Sequence, residues 1–410
     1  MNSALKIGII REGKMPGDTR VALIPDDCIQ LMKRFPRIRI QVQSSGDRCY
    51  SDQEYREAGI EVIDDISSND ILLGVKEVPV SRLIPGKTYF FFSHTIKKQP
   101  YNRHLMQALI QKRIRMIDYE TLTDVNGNRL IGFGFYAGVV GAHHALKMYG
   151  RRMNAYSVMP AKDCKDYAAM IDQYQLVDFP PMKIIVTGSG KVAKGARQVL
   201  DDVGIREVET GTFLSDGHQE AVYIQLTNDL LYADQSGAFV KSEFYAQPES
   251  YHSQFREYAR HADILINGVF WNERIPRLFE SKEISDSDFS IKTIADVSCD
   301  VLGSVPVTTK VTTIADPVYA VDRYTLAEVE PYGDTHESID MMTIDNLPNE
   351  LPRDASAGFS RTMCDSVIPE LLKPGSAVLD RAEICKNGSL SPNFEYLKDY
   401  AFSLYPHTEK

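Results

Sequence analysis

The chain predicts an α/β protein of two Rossmann-like, doubly wound parallel-sheet domains flanking a cleft, and three observations carry that expectation. Its 410 residues exceed one ordinary core and suit two, at roughly 100–200 residues each. Short apolar runs alternate with helical patterns through the first third, and a second such series runs from Met182 to about residue 330. The sharpest strand pattern, Met182-Lys-Ile-Ile-Val-Thr187, opens directly into a glycine-rich turn.

In the first series, Lys6–Ile10, Ile38–Val42, Asp70–Val75, Thr88–Phe92 and Arg115–Tyr119 read as buried strands. Helical patterns lie between them, for example at Asp26–Arg34 and Tyr101–Lys112. Such sheets place their chemistry in the loops at the carboxyl ends of the strands. From Phe135 through Met148 the pattern is one long helix, followed by a polar segment at Ala161–Gln175. After Thr187, the runs Asp263–Asn267 and Thr293–Val297 each end in a polar residue, as buried strands do at a functional edge. The polar stretch Ser215–Ser253 reads as a surface insertion. The segment from about Glu337 continues as helices, too short for a domain, and is expected to pack back on the first one. The expected division is 1–135 plus 336–410 for a substrate and catalytic domain, and 136–335 for a nucleotide-binding domain.

Hydrophobic residues make up 43% and charged residues 25%, the balance of a folded globular protein. A net charge of -10 speaks against a nucleic-acid-binding surface, which needs a basic face, but allows a local basic pocket for a small anion. The six cysteines show no C-x-x-C spacing, so neither a zinc site nor a disulfide framework is expected, and reduced thiols fit the cytosol. The apolar run at the start, Ile7–Ile10, is too short for a secretory signal, and no segment reaches the roughly 20 apolar residues of a membrane span. A soluble, cytoplasmic protein with no membrane or nucleic-acid partner is expected. His143 and His144 read as helix-surface or core histidines, because no cysteine or carboxylate stands at ligand spacing from them.

The turn after Thr187 reads Gly188-Ser189-Gly190-Lys191-Val192-Ala193 and opens a helix with apolar positions at Val192, Ala196, Val199, Leu200 and Val203. Gly188 permits a tight turn, Gly190 lets backbone amides approach a pyrophosphate, and Ala193 allows close packing of the helix. The helix start then offers partial positive charge and N–H groups to phosphates. A dinucleotide site is the expectation; a structural glycine turn is the alternative. The acid that would bond a ribose 2′-hydroxyl is Glu209, after the short run Arg206–Glu209. A solvated glutamate at a strand end fits equally, so both NAD and NADP remain candidates.

In the first half, four features recur at strand ends. Lys76 and Glu77 follow one apolar run, His94 another, Glu120 a third, and Arg20 lies in the loop after the first. Each alone is an ordinary solvated or packed side chain. Repeated placement at matched positions of an open sheet brings them to one edge.

At this point blocks of the chain resemble known families. Gly8-Ile-Ile-Arg-Glu12 and Thr19-Arg20-Val-Ala-Leu-Ile-Pro25 resemble the alanine dehydrogenase and transhydrogenase superfamily. Leu72–Glu77, Phe92–Lys97, Ile117–Glu120, Asn267–Trp271 and Ile344–Pro352 look like lysine–ketoglutarate reductase, the N-terminal half of a bifunctional lysine-degrading protein. Phe133–Gly138 is similar to lysine-forming saccharopine dehydrogenase. The resemblance implies reversible NAD- or NADP-linked condensation of L-lysine with 2-oxoglutarate to saccharopine. It implies Lys76 and His94 as an acid–base pair, with Glu77 and Glu120 as their acidic partners. It further implies Arg20 and Arg129 as clamps for carboxylate substrates, and Asp296 near the nicotinamide. Two other readings remain: an alanine-dehydrogenase-like enzyme using free ammonia, and a non-catalytic NAD(P)-binding protein of the same fold.

Overall fold

A computed structural model describes residues 4–14, 17–215, 217, 219–334 and 336–403. The chain divides into two compact units, residues 1–133 with 352–410, and residues 134–351.

The first unit begins with six strands: β1 (Leu5–Ile9), β2 (Ile38–Gln43), β3 (Glu61–Ile63), β4 (Ile71–Leu73), β5 (Thr88–Phe91) and β6 (Arg115–Asp118). β2 alternates cleanly, with Ile38, Ile40 and Val42 buried between polar neighbours, whereas β4 is buried throughout. The helix Pro25–Arg34 has proline in its first turn, Asp26 and Asp27 beside it, and Lys33 and Arg34 in its last turn. All three features match its orphan amides and its dipole. Ser51 and Glu54 form a reciprocal capping box on the helix Asp52–Glu57.

The second unit contributes β7 (Lys183–Thr187), β8 (Arg206–Glu207), β9 (Val222–Leu226), the hairpin β10 (Tyr232–Ala233) and β11 (His252–Ser253), and β12 (Ile264–Asn267). It continues with β13 (Thr293–Asp296), β14 (Val318–Asp322), β15 (Glu328–Val329) and β16 (Ser338–Met342). Its eight-stranded sheet runs β8-β9-β7-β12-β13-β16-β14-β15, parallel except at β14 and β15. The chain then returns to the first unit with β17 (Glu383–Lys386) and β18 (Ser389–Leu390), giving an eight-stranded order β3-β2-β1-β4-β5-β6-β17-β18. Apolar side chains cover both faces of each sheet, with Phe90 and Met116 on opposite faces of the first and Ile185 and Ile184 on opposite faces of the second.

Two features differ from the sequence reading. The stretch 215–253 is not a surface insertion: β9 lies inside it, pairs parallel with β7, and is almost wholly buried. Its polar flanks hide a five-residue run whose lone polar member is Gln225. Residues 216 and 218 of that stretch lie outside those described. The return to the first unit comes at Pro352 and not near 336, because β16 is a fully buried strand between β13 and β14.

In the second unit, the helices Gly134–Arg152 and Lys191–Asp202 cross at two glycines. A Cβ on Gly195 would stand 1.9 Å from the Phe135 carbonyl oxygen, and one on Gly138 would stand 1.9 Å from that of Val192. Gly195→Ala should therefore force a backbone shift and destabilise the protein by about 3 kcal/mol. Unchanged denaturant unfolding would show that the helices separate freely.

Candidate functional site

In the first unit the chain leaves β1 for β2 on one side and reaches β4 on the other, a topological switch point. Glu12, just past β1, fills it. Its Oε1 accepts the Val75 N–H at 2.7 Å and its Oε2 accepts the Lys76 N–H at 2.9 Å. Burial and the nearby Asp18 push the Glu12 carboxyl up to about 8, against the pull of those two N–H groups and Arg20.

Lys76 and Glu77 leave the end of β4 together, as expected. The Lys76 ammonium makes no hydrogen bond or ion pair among the described residues, and burial, then Arg20 and Lys14, holds its pKa below the usual lysine value. Glu77 lies 2.7 Å from His94 Nδ1, 2.9 Å from Lys14 Nζ and 3.3 Å from Asn102 Nδ2. Burial alone would raise the Glu77 carboxyl. The hydrogen bond and charge of His94, with the bond from Lys14, hold it at about 2.

His94 follows β5 in a left-handed conformation, φ 51°, which a β-carbon disfavours and which costs about 1–3 kcal/mol when held. Asp118 at the end of β6 secures that turn: its carboxylate accepts from the Ser93 N–H at 3.0 Å, the Ser93 hydroxyl, and the Glu120 N–H at 2.7 Å. Burial pushes the Asp118 carboxyl up to about 6. With Nδ1 on Glu77 and the ring stacked near Phe92, the partly exposed imidazole of His94 leaves Nε2 without a partner among the described residues. Glu120 accepts from Arg129 at 3.0 Å, and that arginine is half exposed.

Arg20 is buried in an ion pair. Its guanidinium is 3% exposed, binds Asp18 through both Nε and NH2, and sits 4.1 Å above the Phe133 ring. It orders the loop after β1 and adds positive charge near Lys76; a substrate carboxylate would compete with Asp18 for it. Arg129 is the more exposed arginine of the two.

Glu77→Gln gives a pH test. The depressed carboxyl contributes stability above its ordinary value of 4.5 that is lost as pH falls toward 2, about 3 kcal/mol in all. In the variant this acid-labile component should be missing from urea titrations between pH 5 and pH 2 (about the two limits of that window). An unchanged acid limb would contradict the cluster.

In the second unit β7 is followed by Gly188, φ +91°, and Gly190 caps the start of the helix Lys191–Asp202. A Cβ on Gly190 would meet nothing within 4 Å, whereas one on Gly188 would stand 2.9 Å from the Gly268 carbonyl oxygen. Open space before the first-turn amides, with Ser189, Lys191 and Val192 around it, fits a dinucleotide pyrophosphate. The Gly188 N–H donates to the Leu226 carbonyl at 2.8 Å and the Gln225 amide donates to the Gly188 carbonyl at 2.8 Å. Thr227, after β9, is thus the strand-end residue beside the turn. Glu209 lies after β8, which pairs only with β9; it lines a cavity of about 350 Å³ with Gln225 and Leu230.

Asp296 turns inward instead of facing a ligand. It is fully buried, and its oxygens accept from Asn267 at 2.8 Å and from Ser298 and Thr308 at 2.6 Å each. It ties the end of β12 to the loop after β13. His143 and His144 are also buried, the first between Tyr174 and the Met159 carbonyl, the second 2.7 Å from Glu350.

Glu12, Lys14, Asn102 and Asp118 escaped the sequence reading. Glu12 obeys the rule that exposed Lys76, a polar residue just past a buried strand. Asp118 was hidden as the final residue of its own strand.

The first unit thus places protonatable groups at the carboxyl edge of a doubly wound sheet, and the second carries a glycine turn whose open space fits a pyrophosphate. Residues 8–140 match the alanine dehydrogenase/PNT N-terminal domain. It is 30% identical to alpha-aminoadipic semialdehyde synthase, mitochondrial, of Rattus norvegicus, over 88% of this chain and 44% of that one. The chain thus spans less than half of that relative's length. It is 25% identical to saccharopine dehydrogenase [NAD(+), L-lysine-forming] of Emericella nidulans, over 91% of this chain and 94% of that one. The fold matches a solved L-alanine dehydrogenase with a TM-score of 0.65 at 17% identity, covering 97% of this chain and 100% of that one. Among the described residues, no helix is long and apolar enough to cross a membrane.

Proposed function

We propose that the chain is an NAD(P)-dependent oxidoreductase acting on CH–NH bonds, joining L-lysine and 2-oxoglutarate reversibly into saccharopine. The observation that carries this reading is the Lys76 ammonium, without a partner among the described residues and with a depressed pKa, beside the His94–Glu77–Lys14 cluster. Similarity to the lysine-forming saccharopine dehydrogenase over most of both chains supports the substrates.

The condensation needs several proton movements. The lysine ε-amine must lose a proton before it attacks the ketone, the resulting hydroxyl must leave as water, and the imine nitrogen must carry a proton as its carbon is reduced. Lys76, in its unprotonated form, accepts the first proton and returns it to the departing hydroxyl. His94 presents Nε2 while Glu77 fixes its ring through Nδ1, so it supplies the proton held at the imine nitrogen. Arg129, paired with Glu120, meets a carboxylate of 2-oxoglutarate with its planar fork. The reduced nicotinamide, when bound, supplies the hydride. Gly188, Ser189, Gly190, Lys191 and Val192 would hold its pyrophosphate, with Glu209 close enough to the β9 edge to meet the adenosine half.

Reduced coenzyme carrying deuterium at the transferable position tests this reading. With lysine and 2-oxoglutarate, the label should appear in saccharopine on the carbon of the new C–N bond that came from the ketone. Label in alanine, from ammonia and pyruvate, would instead support the ammonia-using alternative, and no transfer at all would support a non-catalytic protein.

A further inference from the structure

Glu12 takes no part in the proton transfers above, yet it stands where a doubly wound sheet usually receives its ligand. Its carboxylate bridges the crevice between the end of β1 and the end of β4. The approach is close: a Cβ on Gly74 would stand 3.4 Å from Glu12 Oε1 and 2.8 Å from Ile10 Cδ1. Two successive N–H groups, those of Val75 and Lys76, are held at 2.7 and 2.9 Å by the two oxygens of one carboxyl group. That grip fixes the peptide plane from which the Lys76 side chain departs. Lys76 has no partner at its ammonium among the described residues, so its direction is set at the backbone. Facing Glu12 are Asp18 and Arg20 from the loop after β1, Lys76 from the end of β4, and Tyr119 after β6. The Tyr119 hydroxyl is buried without a hydrogen-bond partner.

We propose that Glu12 is the positioning residue of Lys76: by gripping the N–H groups of residues 75 and 76 it fixes the direction in which the Lys76 amine enters the reaction site. The inference rests on reading Lys76 as an acid–base group. Where the second unit opens a glycine turn after β7, the first closes the corresponding place after β1 with the Glu12 carboxyl group.

Glu12→Gln keeps the size and one accepting oxygen but turns an NH2 group toward one of the two N–H donors. Its turnover should fall about 10²-fold, the scale expected of a misplaced reacting group, while the Kd for reduced coenzyme is unchanged. The decisive comparison is a double-mutant cycle. Because Glu12 acts only through the Lys76 amine, Glu12→Gln combined with Lys76→Met should turn over no more slowly than Lys76→Met alone. A residue needed merely for folding would multiply the losses and lower the unfolding midpoint in both backgrounds. Should Glu12→Gln fold poorly, Glu12→Asp, which withdraws the carboxylate by one methylene, carries the same cycle. Full turnover in the Glu12 variants, or losses that multiply, overturns this inference alone. Full turnover in Lys76→Met overturns the reading of Lys76 and this inference with it.

Discussion

Lys76→Met lowers turnover with lysine and 2-oxoglutarate by roughly 10²–10⁴-fold and leaves affinity for reduced coenzyme within about twofold. Methionine keeps the length and apolar stem of lysine but cannot take or return a proton. Lys76 is suited to that task because burial, Arg20 and Lys14 bring its pKa down toward the working range. Neighbours are little disturbed, since the ammonium holds no partner among the described residues. Coenzyme affinity should hold because the glycine turn proposed for its phosphates belongs to the other compact unit. Steady-state rates and a fluorescence titration with reduced coenzyme check both halves of the expectation. A variant with full turnover would remove Lys76 from the chemistry, and one that lost coenzyme binding would show an effect on folding instead.

Arg20→Ala destabilises the protein by about 3–5 kcal/mol, because it leaves Asp18 buried without its guanidinium partner. Asp18 is 4% exposed, and Arg20 is the first attractive influence on its carboxyl, which burial opposes. The loss of the cation over the Phe133 ring adds to the effect. Arg20 also presses the Lys76 pKa downward, so its removal should move the Lys76 limb of the pH–rate profile toward higher pH. Urea unfolding and a pH profile of the surviving activity measure the two consequences separately. A loss of stability near zero would mean that Asp18 is solvated and that the pair is not a buried one.

Much of this arrangement was legible because a buried strand that ends in a charged residue is hard to explain by packing. Lys76, Glu77, His94 and Glu120 all announce themselves in that way, and so does the glycine turn after Thr187. The legible signal stopped where a residue's role depends on what folds over it. Arg20 reads as a loop arginine; only Phe133 and the adjacent Asp18, brought together by the fold, make it a buried half of an ion pair. Asp118 and Asp296 look like polar stops on strands, but serine and threonine hydroxyls from neighbouring loops enclose their oxygens. β9 was missed because its five residues sit among polar neighbours, and with it went the assignment of the strand beside the glycine turn. β16 was missed because Ser338 and Asp340, polar residues in a buried strand, are satisfied by Arg152, far away in the chain.

The most direct measurement is the initial rate of reduced-coenzyme oxidation with lysine and 2-oxoglutarate varied independently. The account predicts no oxidation when either is omitted, saturation by each, and one saccharopine formed per coenzyme consumed. Oxidation that proceeds with ammonia in place of lysine, or with pyruvate in place of 2-oxoglutarate at an equal rate, would contradict it.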